Sequence, residues 1–377
     1  MNNQSCEAIS EMPTQPAHGF ATRVLAWFDR HGRHNLPWQG THDPYRIWIS
    51  EIMLQQTQVA TVMPYYQRFI GRFPEVAALA QASLDEVLAL WAGLGYYARA
   101  RNLHQAARQV MCELGGRFPD DYASLSSLPG IGRSTAGAIA ALAGGHRHPI
   151  LDGNVKRVLS RYFALSASPA SAEGQRQLWA WAEALTPNVR VGDYTQAMMD
   201  LGATVCTRSR PACPRCPLAL DCQAYGLGRP QDFPLPPPRR VRPKRSCYMA
   251  LVQREDGAVL LLRRPPQGIW GGLWSLPEFE ERLQAETWCE QELGYKGDYM
   301  QCSPLHHAFT HFELTIIPLH IQLLANRQAP MVAVDRVWYK AGQAKTAGIA
   351  APVVRLLTQL VQPVASQHSL DLDLKAS

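Results

Sequence analysis

The spacing of apolar positions changes character once along the chain. From Phe20 to about residue 225 they recur three and four residues apart, and beyond about residue 247 they alternate with a period of two. The first part predicts a helix over Phe20–Asp29. A second starts behind Asp43 and Pro44, a capping residue followed by proline at the first helical position, and runs from Ile47 to Thr57. More helices are expected at about 58–70, 75–80, 83–92, 99–114, 120–127, 174–185 and 194–204. One starts at Ser134, directly after the turn Leu128-Pro129-Gly130-Ile131-Gly132, and another at Asp152. In the second part Tyr248–Gln253 and Ala258–Arg263 flank Asp256-Gly257, a hairpin signal. A helix at about 279–293, strands at about 311–324 and 331–339, and a helix at about 349–361 complete an α/β unit.

Between the two patterns lies a stretch rich in proline and arginine, residues 229–246, which reads as a stiff linker. The expected organisation is a loose lead (1–19), an all-α domain (20–228), the linker (229–246), an α/β domain (247–361) and a loose tail (362–377).

Three places in the helical part carry chemistry. Glu51 shares a helical stripe with Ile47 and Leu54, so its carboxyl is partly desolvated and its pKa is raised. A carboxylic acid kept protonated near neutrality is a proton donor; the plain alternative is a solvated or Arg-paired Glu at the edge of the stripe. The turn at 128–132 ends at a helix N-terminus, whose N–H groups suit an anion; the alternative is an ordinary corner between helices. Asp152 stands at a helix start, where it is either a plain cap or a carboxylate held ionised by the dipole and nearby N–H donors. Gly93-Leu94-Gly95-Tyr96-Tyr97, followed by Arg99 and Arg101, suits insertion into nucleic acid or a turn with core tyrosines.

Composition narrows the field. The chain of 377 residues is 46% hydrophobic and 18% charged, and Lys plus Arg exceed Asp plus Glu by 37 to 31. That balance suits a polyanionic partner. No apolar run approaches the roughly 20 residues of a spanning helix, so no membrane role is expected, and the polar N-terminus is not a signal peptide. Of nine cysteines, four cluster as Cys206-x6-Cys213-x2-Cys216-x5-Cys222. This spacing favours a 4Fe–4S cluster over a structural zinc, in a reducing cytoplasm. No P-loop lysine motif, HExxH or GxSxG is present, so phosphoryl transfer, zinc proteolysis and α/β-hydrolase chemistry have no support.

Taken together, the Glu-bearing helix, the Gly hairpin, an Asp 20 residues after the second hairpin Gly and the cysteine spacing resemble the helix–hairpin–helix DNA glycosylases. Within them the chain resembles the MutY-type adenine DNA glycosylases over about residues 20–225, and their Nudix-like domain more loosely beyond. The resemblance implies an all-α catalytic domain followed by an α/β Nudix-like domain. It implies one 4Fe–4S cluster on the four cysteines, a monovalent cation at the hairpin, and a monomer acting on duplex DNA that holds adenine opposite 8-oxoguanine or guanine.

Site roles follow from the same resemblance. Ser50 to Thr57 resembles the catalytic helix, with Glu51 the general acid, and Leu151 to Val155 the second catalytic segment, with Asp152 stabilising the positive sugar and Asn154 positioning sugar or water. Trp38, Leu54, Val59 and Gln196 would line the adenine pocket. Gln56 and Tyr96 would enter the base stack, with Thr57 and Leu94 near the opposite base, while Gly130 and Gly132 grip the backbone. Ser134 stands where the endonuclease III branch has lysine, which implies base release without strand cleavage. Phe309-Thr310-His311 resembles the loop that senses 8-oxoguanine. The acidic helix of true Nudix hydrolases is degraded here to Thr287-Trp288 and Gln291-Glu292, so pyrophosphate hydrolysis is not expected. The rival readings are an endonuclease III-like glycosylase/lyase and an inert DNA-binding protein.

Overall fold

The computed structural model describes residues 19–236, 241–309, 311–323, 335–340 and 348–361. The expected lead and tail, part of the linker, part of the strand expected at 331–339, and Thr310 lie outside them. Among the described residues twelve α-helices precede the sheet: α1 (Phe20–His31), α2 (Pro44–Leu54), α3 (Val59–Arg72), α4 (Val76–Gln81), α5 (Leu84–Trp91), α6 (Ala98–Glu113), α7 (Tyr122–Ser127), α8 (Arg133–Gly144), α9 (Gly153–Tyr162), α10 (Ala172–Leu185), α11 (Val191–Thr204) and the single turn α12 (Gln223–Gly226). Then come strands β1 (Lys244–Arg254), β2 (Val259–Arg263), β3 (Trp274–Ser275) and β4 (Glu278–Phe279), helix α13 (Arg282–Leu293), strands β5 (Met300–Gln301), β6 (Leu305–Ala308), β7 (Glu313–Leu323) and β8 (Arg336–Tyr339), and helix α14 (Ala351–Val361). The chain forms two compact units, one of residues up to Ala80 with Gln105–Arg239, the other of Gln81–His104 with the residues from Arg240 onward.

In the first unit α2 packs on α3 and α8. Asp43 caps it by accepting from the Tyr45 N–H at 3.0 Å, with Pro44 at its first position. Tyr45, Ile47, Trp48, Ile49, Ile52 and Met53 are all buried, so the helix is apolar nearly all round. Trp48 stacks on Phe118 with ring centroids 4.5 Å apart. The helix stops at Leu54, three residues before the end expected from its pattern, because Gln56 adopts a left-handed backbone (φ 58°). Gln55 to Thr57 therefore form a turn into α3.

Helix α8 lies against α2 and α11 and is built for close approach: Ala136, Gly137, Ala138, Ala140 and Ala141 are buried. A Cβ on Gly137 would sit 2.7 Å from the Pro149 carbonyl oxygen, so only glycine lets the strand of chain before α9 pass. Leu151, Val155, Val158 and Leu159 from α9 and its approach join Phe20, Val24, Phe28, Met198 and Leu201 in one apolar core.

The second unit is organised by β1, which pairs in parallel with β7 along its whole length, Lys244 opposite Glu313 through Arg254 opposite Leu323. The hairpin expected at Asp256-Gly257 joins β1 to β2, with Gly257 at φ 80° and the Asp256 carboxylate accepting from the Ala258 N–H. The sheet order is β3-β2-β1-β7-β5. One face, including Ala250, Val252, Leu319 and Ile321, packs on Ala285, Cys289 and Leu293 of α13. Residues 81–104 belong to this unit: Asp85 pairs with Arg263, and the Arg101 guanidinium donates to the Gly271 carbonyl at 2.6 Å.

The two hairpin glycines differ. Gly130 is left-handed (φ 81°), whereas Gly132 is extended (φ −89°, ψ 172°), and a Cβ on it would meet no atom within 4 Å. Gly130→Ala is expected to cost about 1–2 kcal/mol, while Gly132→Ala leaves the urea midpoint within experimental error of the parent. Equal midpoints for the two variants would contradict this account of the turn.

Candidate active site

A cleft of about 650 Å³ opens in the first unit where the C-terminal end of α2, the first turns of α8 and α9, and the middle of α11 meet. That volume suits one flipped nucleotide or a ligand of similar size. Glu51, Leu54, Gln56, Thr57 and Val59 line it from α2 and the following turn and helix; Ser134 lines it from α8, Asp152 and Asn154 from α9, and Trp38 and Gln196 complete it. The turn and loop residues Gly130, Gly132, Leu94, Tyr96, Phe309 and His311 are not among its walls.

Glu51 accepts no hydrogen bond among the described residues, and burial pushes its carboxyl up to about 7, with the negative charge of Asp152 as the second cause. Asp152 caps α9: its carboxylate accepts from the Val155 N–H at 2.8 Å and from the Asn154 amide at 3.1 Å. The pattern of the chain predicts that such donors hold Asp152 ionised. The donors are present, but burial outweighs them and raises its carboxyl above the ordinary range. Two carboxyls in one desolvated cleft resist double ionisation. Asp152 has the hydrogen-bond donors and the helix N-terminus, so the shared proton rests on Glu51.

Three supports hold this pair. The Ser134 hydroxyl accepts from the Leu151 N–H at 2.9 Å, tying the start of α8 to the residue before Asp152. Arg157 donates to the Asn154 side-chain oxygen (2.8 Å) and to the carbonyls of Gly202 (2.7 Å) and Cys206 (2.7 Å). This fixes which way the Asn154 amide faces and so aims its N–H₂ at Asp152. Gly202 must be glycine, because a Cβ there would lie 2.5 Å from the Cβ of Asn154. On the opposite wall the fully buried Asp200 accepts from the Arg33 backbone and guanidinium and from the Gln196 amide nitrogen at 2.8 Å. The Gln196 carbonyl oxygen is thereby left as an acceptor for a ligand.

Arg33, Asp200, Arg157 and Gly202 escape a reading of the sequence. Asp200 carried a usable signal, since it is a lone carboxylate among Ala197, Met198 and Leu201, as Glu51 is among its neighbours. The approach of Gly202 to Asn154 has no local signature.

The four clustered cysteines ring a small pocket of their own, also bounded by Arg161 and Pro211. Arg161, nearly fully buried, donates to the Cys206 sulfur at 3.3 Å and to the Thr207 carbonyl at 2.7 Å. Burial raises the thiols of Cys213 and Cys222, and that of Cys216 to about 12. Among the described residues no three Cys, His, Asp or Glu side chains converge closely enough to hold a single metal ion.

In the second unit Leu94 is buried (6% exposed), whereas Tyr96 is exposed (44%) with a left-handed backbone (φ 50°). Phe309 stacks on Phe312 at 4.5 Å and packs beside Trp270 and His307, with His311 exposed next to it.

The raised Glu51 carboxyl has a consequence for stability. Its folded-state value of about 7 exceeds the ordinary 4.5, so the folded state binds this proton more tightly. Stability from the protonated form is complete below about pH 4.5 and is lost as pH rises through 7. Glu51→Gln should therefore leave the melting temperature unchanged near pH 4.5 and raise it above pH 8, by the equivalent of about 2–3 kcal/mol. A gain that does not depend on pH would show that Glu51 is not desolvated.

Comparison with known proteins supplies the frame for this geometry. Residues 49–184 match the HhH-GPD superfamily of base excision DNA repair proteins, and residues 248–359 match the NUDIX domain. The solved structure of a thermostable thymine-DNA glycosylase superposes with a TM-score of 0.51 at 30% identity, covering 55% of this chain and 95% of that one. The chain is 38% identical to the adenine DNA glycosylase of Mus musculus, over 82% of this chain and 71% of that protein. It is 36% identical to the adenine DNA glycosylase of Buchnera aphidicola, over 90% of this chain and 96% of that protein. Identity at this level runs through both units and spans nearly the whole bacterial relative, and on that ground the chain belongs to the adenine DNA glycosylase family.

Proposed function

We propose that this protein removes adenine from duplex DNA by hydrolysing its N-glycosidic bond, the first step of base excision repair. The observation that carries the reading is the pair of carboxyls in one cleft, Glu51 protonated near neutrality and Asp152 held by N–H donors. Adenine enters the cleft flipped out of the stack. Glu51 gives its proton to a ring nitrogen of the base, so the base departs neutral rather than as an anion. Positive charge then gathers on the sugar as in glycoside hydrolysis, and the Asp152 carboxylate faces it. Water then adds at the sugar carbon, and the proton it loses passes to the Glu51 carboxylate, which restores the acid. Ser134 has no amine and its hydroxyl already accepts from Leu151, so no imine forms with the sugar and the strand stays intact.

The base pocket is formed by Trp38, Leu54, Val59 and Gln196, with Gln196 offering its carbonyl oxygen to the exocyclic amine of adenine. Gln56 and Thr57, on the exposed turn after α2, meet the duplex beside the lesion; Tyr96 enters the stack, with Leu94 buried behind it. The hairpin with Gly130 and Gly132 holds the DNA backbone, together with a monovalent cation. In the second unit Phe309, Thr310 and His311 read the 8-oxoguanine opposite the adenine. The protein works as a monomer in the cytoplasm.

Cys206, Cys213, Cys216 and Cys222 hold a 4Fe–4S cluster. The residues fit it: four thiols surround one pocket, and thiolates are the ligands that such a cluster takes. Raised thiols must give up protons to the metal, so assembly is opposed by acid. Held by these four thiolates, such a cluster would tie the loop 206–222 together.

Single-turnover cleavage of a duplex with adenine opposite 8-oxoguanine tests the reading. The parent should release adenine, and the rate should fall as pH rises through about 7, where Glu51 loses its proton. Glu51→Gln should lower the rate by about 10²–10⁴-fold. A parent that leaves adenine in place would refute the proposal. The cluster is tested separately: the purified protein should be brown, absorb broadly near about 400 nm and contain iron, whereas a colourless protein with stoichiometric zinc overturns it.

A further inference from the structure

A second cleft, of about 580 Å³, lies in the same unit as the active-site cleft and has no part in the chemistry above. The two share two side chains, Trp38 and Gln196, each of which lines both. The same helices flank both: α2 presents Glu51 to the first cleft and Ser50 to the second, and α8 presents Ala138 to the first and Ala141 to the second. Small residues of α8 thus line both clefts.

We infer that the second cleft is the exit site for the free purine base, which passes from the active site between Trp38 and Gln196 while the DNA is still bound. This rests on the glycosylase reading. In that reaction the nucleotide enters from the DNA side, and after the bond breaks the sugar and duplex remain there. The base is then enclosed between the DNA and the cleft, and Trp38 and Gln196 are the side chains that this cleft shares with the second one.

Each partition residue is fixed at one end and open at the other. The turn carrying Trp38 is pinned by Gln39, whose side chain accepts from the Leu36 N–H and donates to the Arg33 carbonyl. The indole itself meets the Tyr66 ring edge-on at 5.4 Å, and passage of the base requires it to turn about its side-chain bonds. Gln196 is held through its amide nitrogen by Asp200, which leaves its carbonyl oxygen at the boundary as an acceptor for an exocyclic amine on either side. Beyond them Thr41, His42 and Asn188 offer polar groups to a neutral heteroaromatic ring. Arg190, which also lines it, is engaged with Asp29 and Asp193.

The test separates bond cleavage from base release. The duplex carries tritiated adenine opposite 8-oxoguanine. Cleavage is read by alkaline scission of the abasic strand, and release by rapid filtration that retains protein, DNA and any trapped base. Two variants narrow the second cleft at residues that do not line the first, Asn188→Trp and Leu142→Trp; each is first matched to the parent in melting temperature. For the parent, release should keep pace with cleavage. In at least one folded variant cleavage should stay within twofold of the parent while release slows about tenfold or more. Release that still matches cleavage in both variants overturns the exit route and leaves the glycosylase reading intact. A parent that cleaves nothing overturns the glycosylase reading, and the exit route with it.

Discussion

The close approach of α8, α9 and α11 is the constraint on which the rest of the catalytic unit depends. Three glycines set it. Gly137 lets the chain at Pro149 pass against α8, Gly192 lies against the Ala141 carbonyl, and Gly202 sits against Asn154. Any side chain at Gly137 or Gly202 would push the start of α9 outward, and Asp152 with it. Close packing of this kind tolerates little error, since a protein interior yields only in part around an added atom. The electrostatics of the cleft therefore rest on van der Waals geometry several residues away from either carboxyl.

Given that geometry, the charges follow. Glu51 sits on a helix that is apolar nearly all round, and its carboxyl finds no donor among the described residues, while Asp152 stands at the N-terminus of α9 with two donors in reach. The environments differ although the residue types hardly do. The supports are themselves anchored. Asn154 is oriented by Arg157, which is held by backbone carbonyls, and Gln196 is oriented by Asp200, which is wholly buried and paired with Arg33. Preorganised polar groups of this sort need not rearrange when charge develops in the transition state.

Much of the fold was legible in local patterns. The capped start of α2, the hairpin at 128–132, the cap at Asp152 and the change to a period of two after residue 247 all report short-range physics, and the corresponding elements stand within a few residues of expectation. Glu51 and Asp152 were legible because each breaks a local rule or satisfies a specific one. What could not be read was set by distant partners. The end of α2 at Leu54 depends on a left-handed Gln56, a residue type with no special liking for that conformation. Arg33 and Asp200 are 167 positions apart, and nothing near either announces the other. The balance at Asp152 between donors and burial is likewise a property of the assembled cleft.

Asp152 serves two masters. It is the cap of α9 and, in the reaction proposed, the negative charge opposite the sugar. Asparagine caps a helix about as well as aspartate. The chain can thus lose the charge and keep the fold, so abundance, solubility and thermal melting carry no record of that loss. Selection for a well-folded protein is blind at this position, and in the proposed reaction only selection for repair itself preserves the carboxylate.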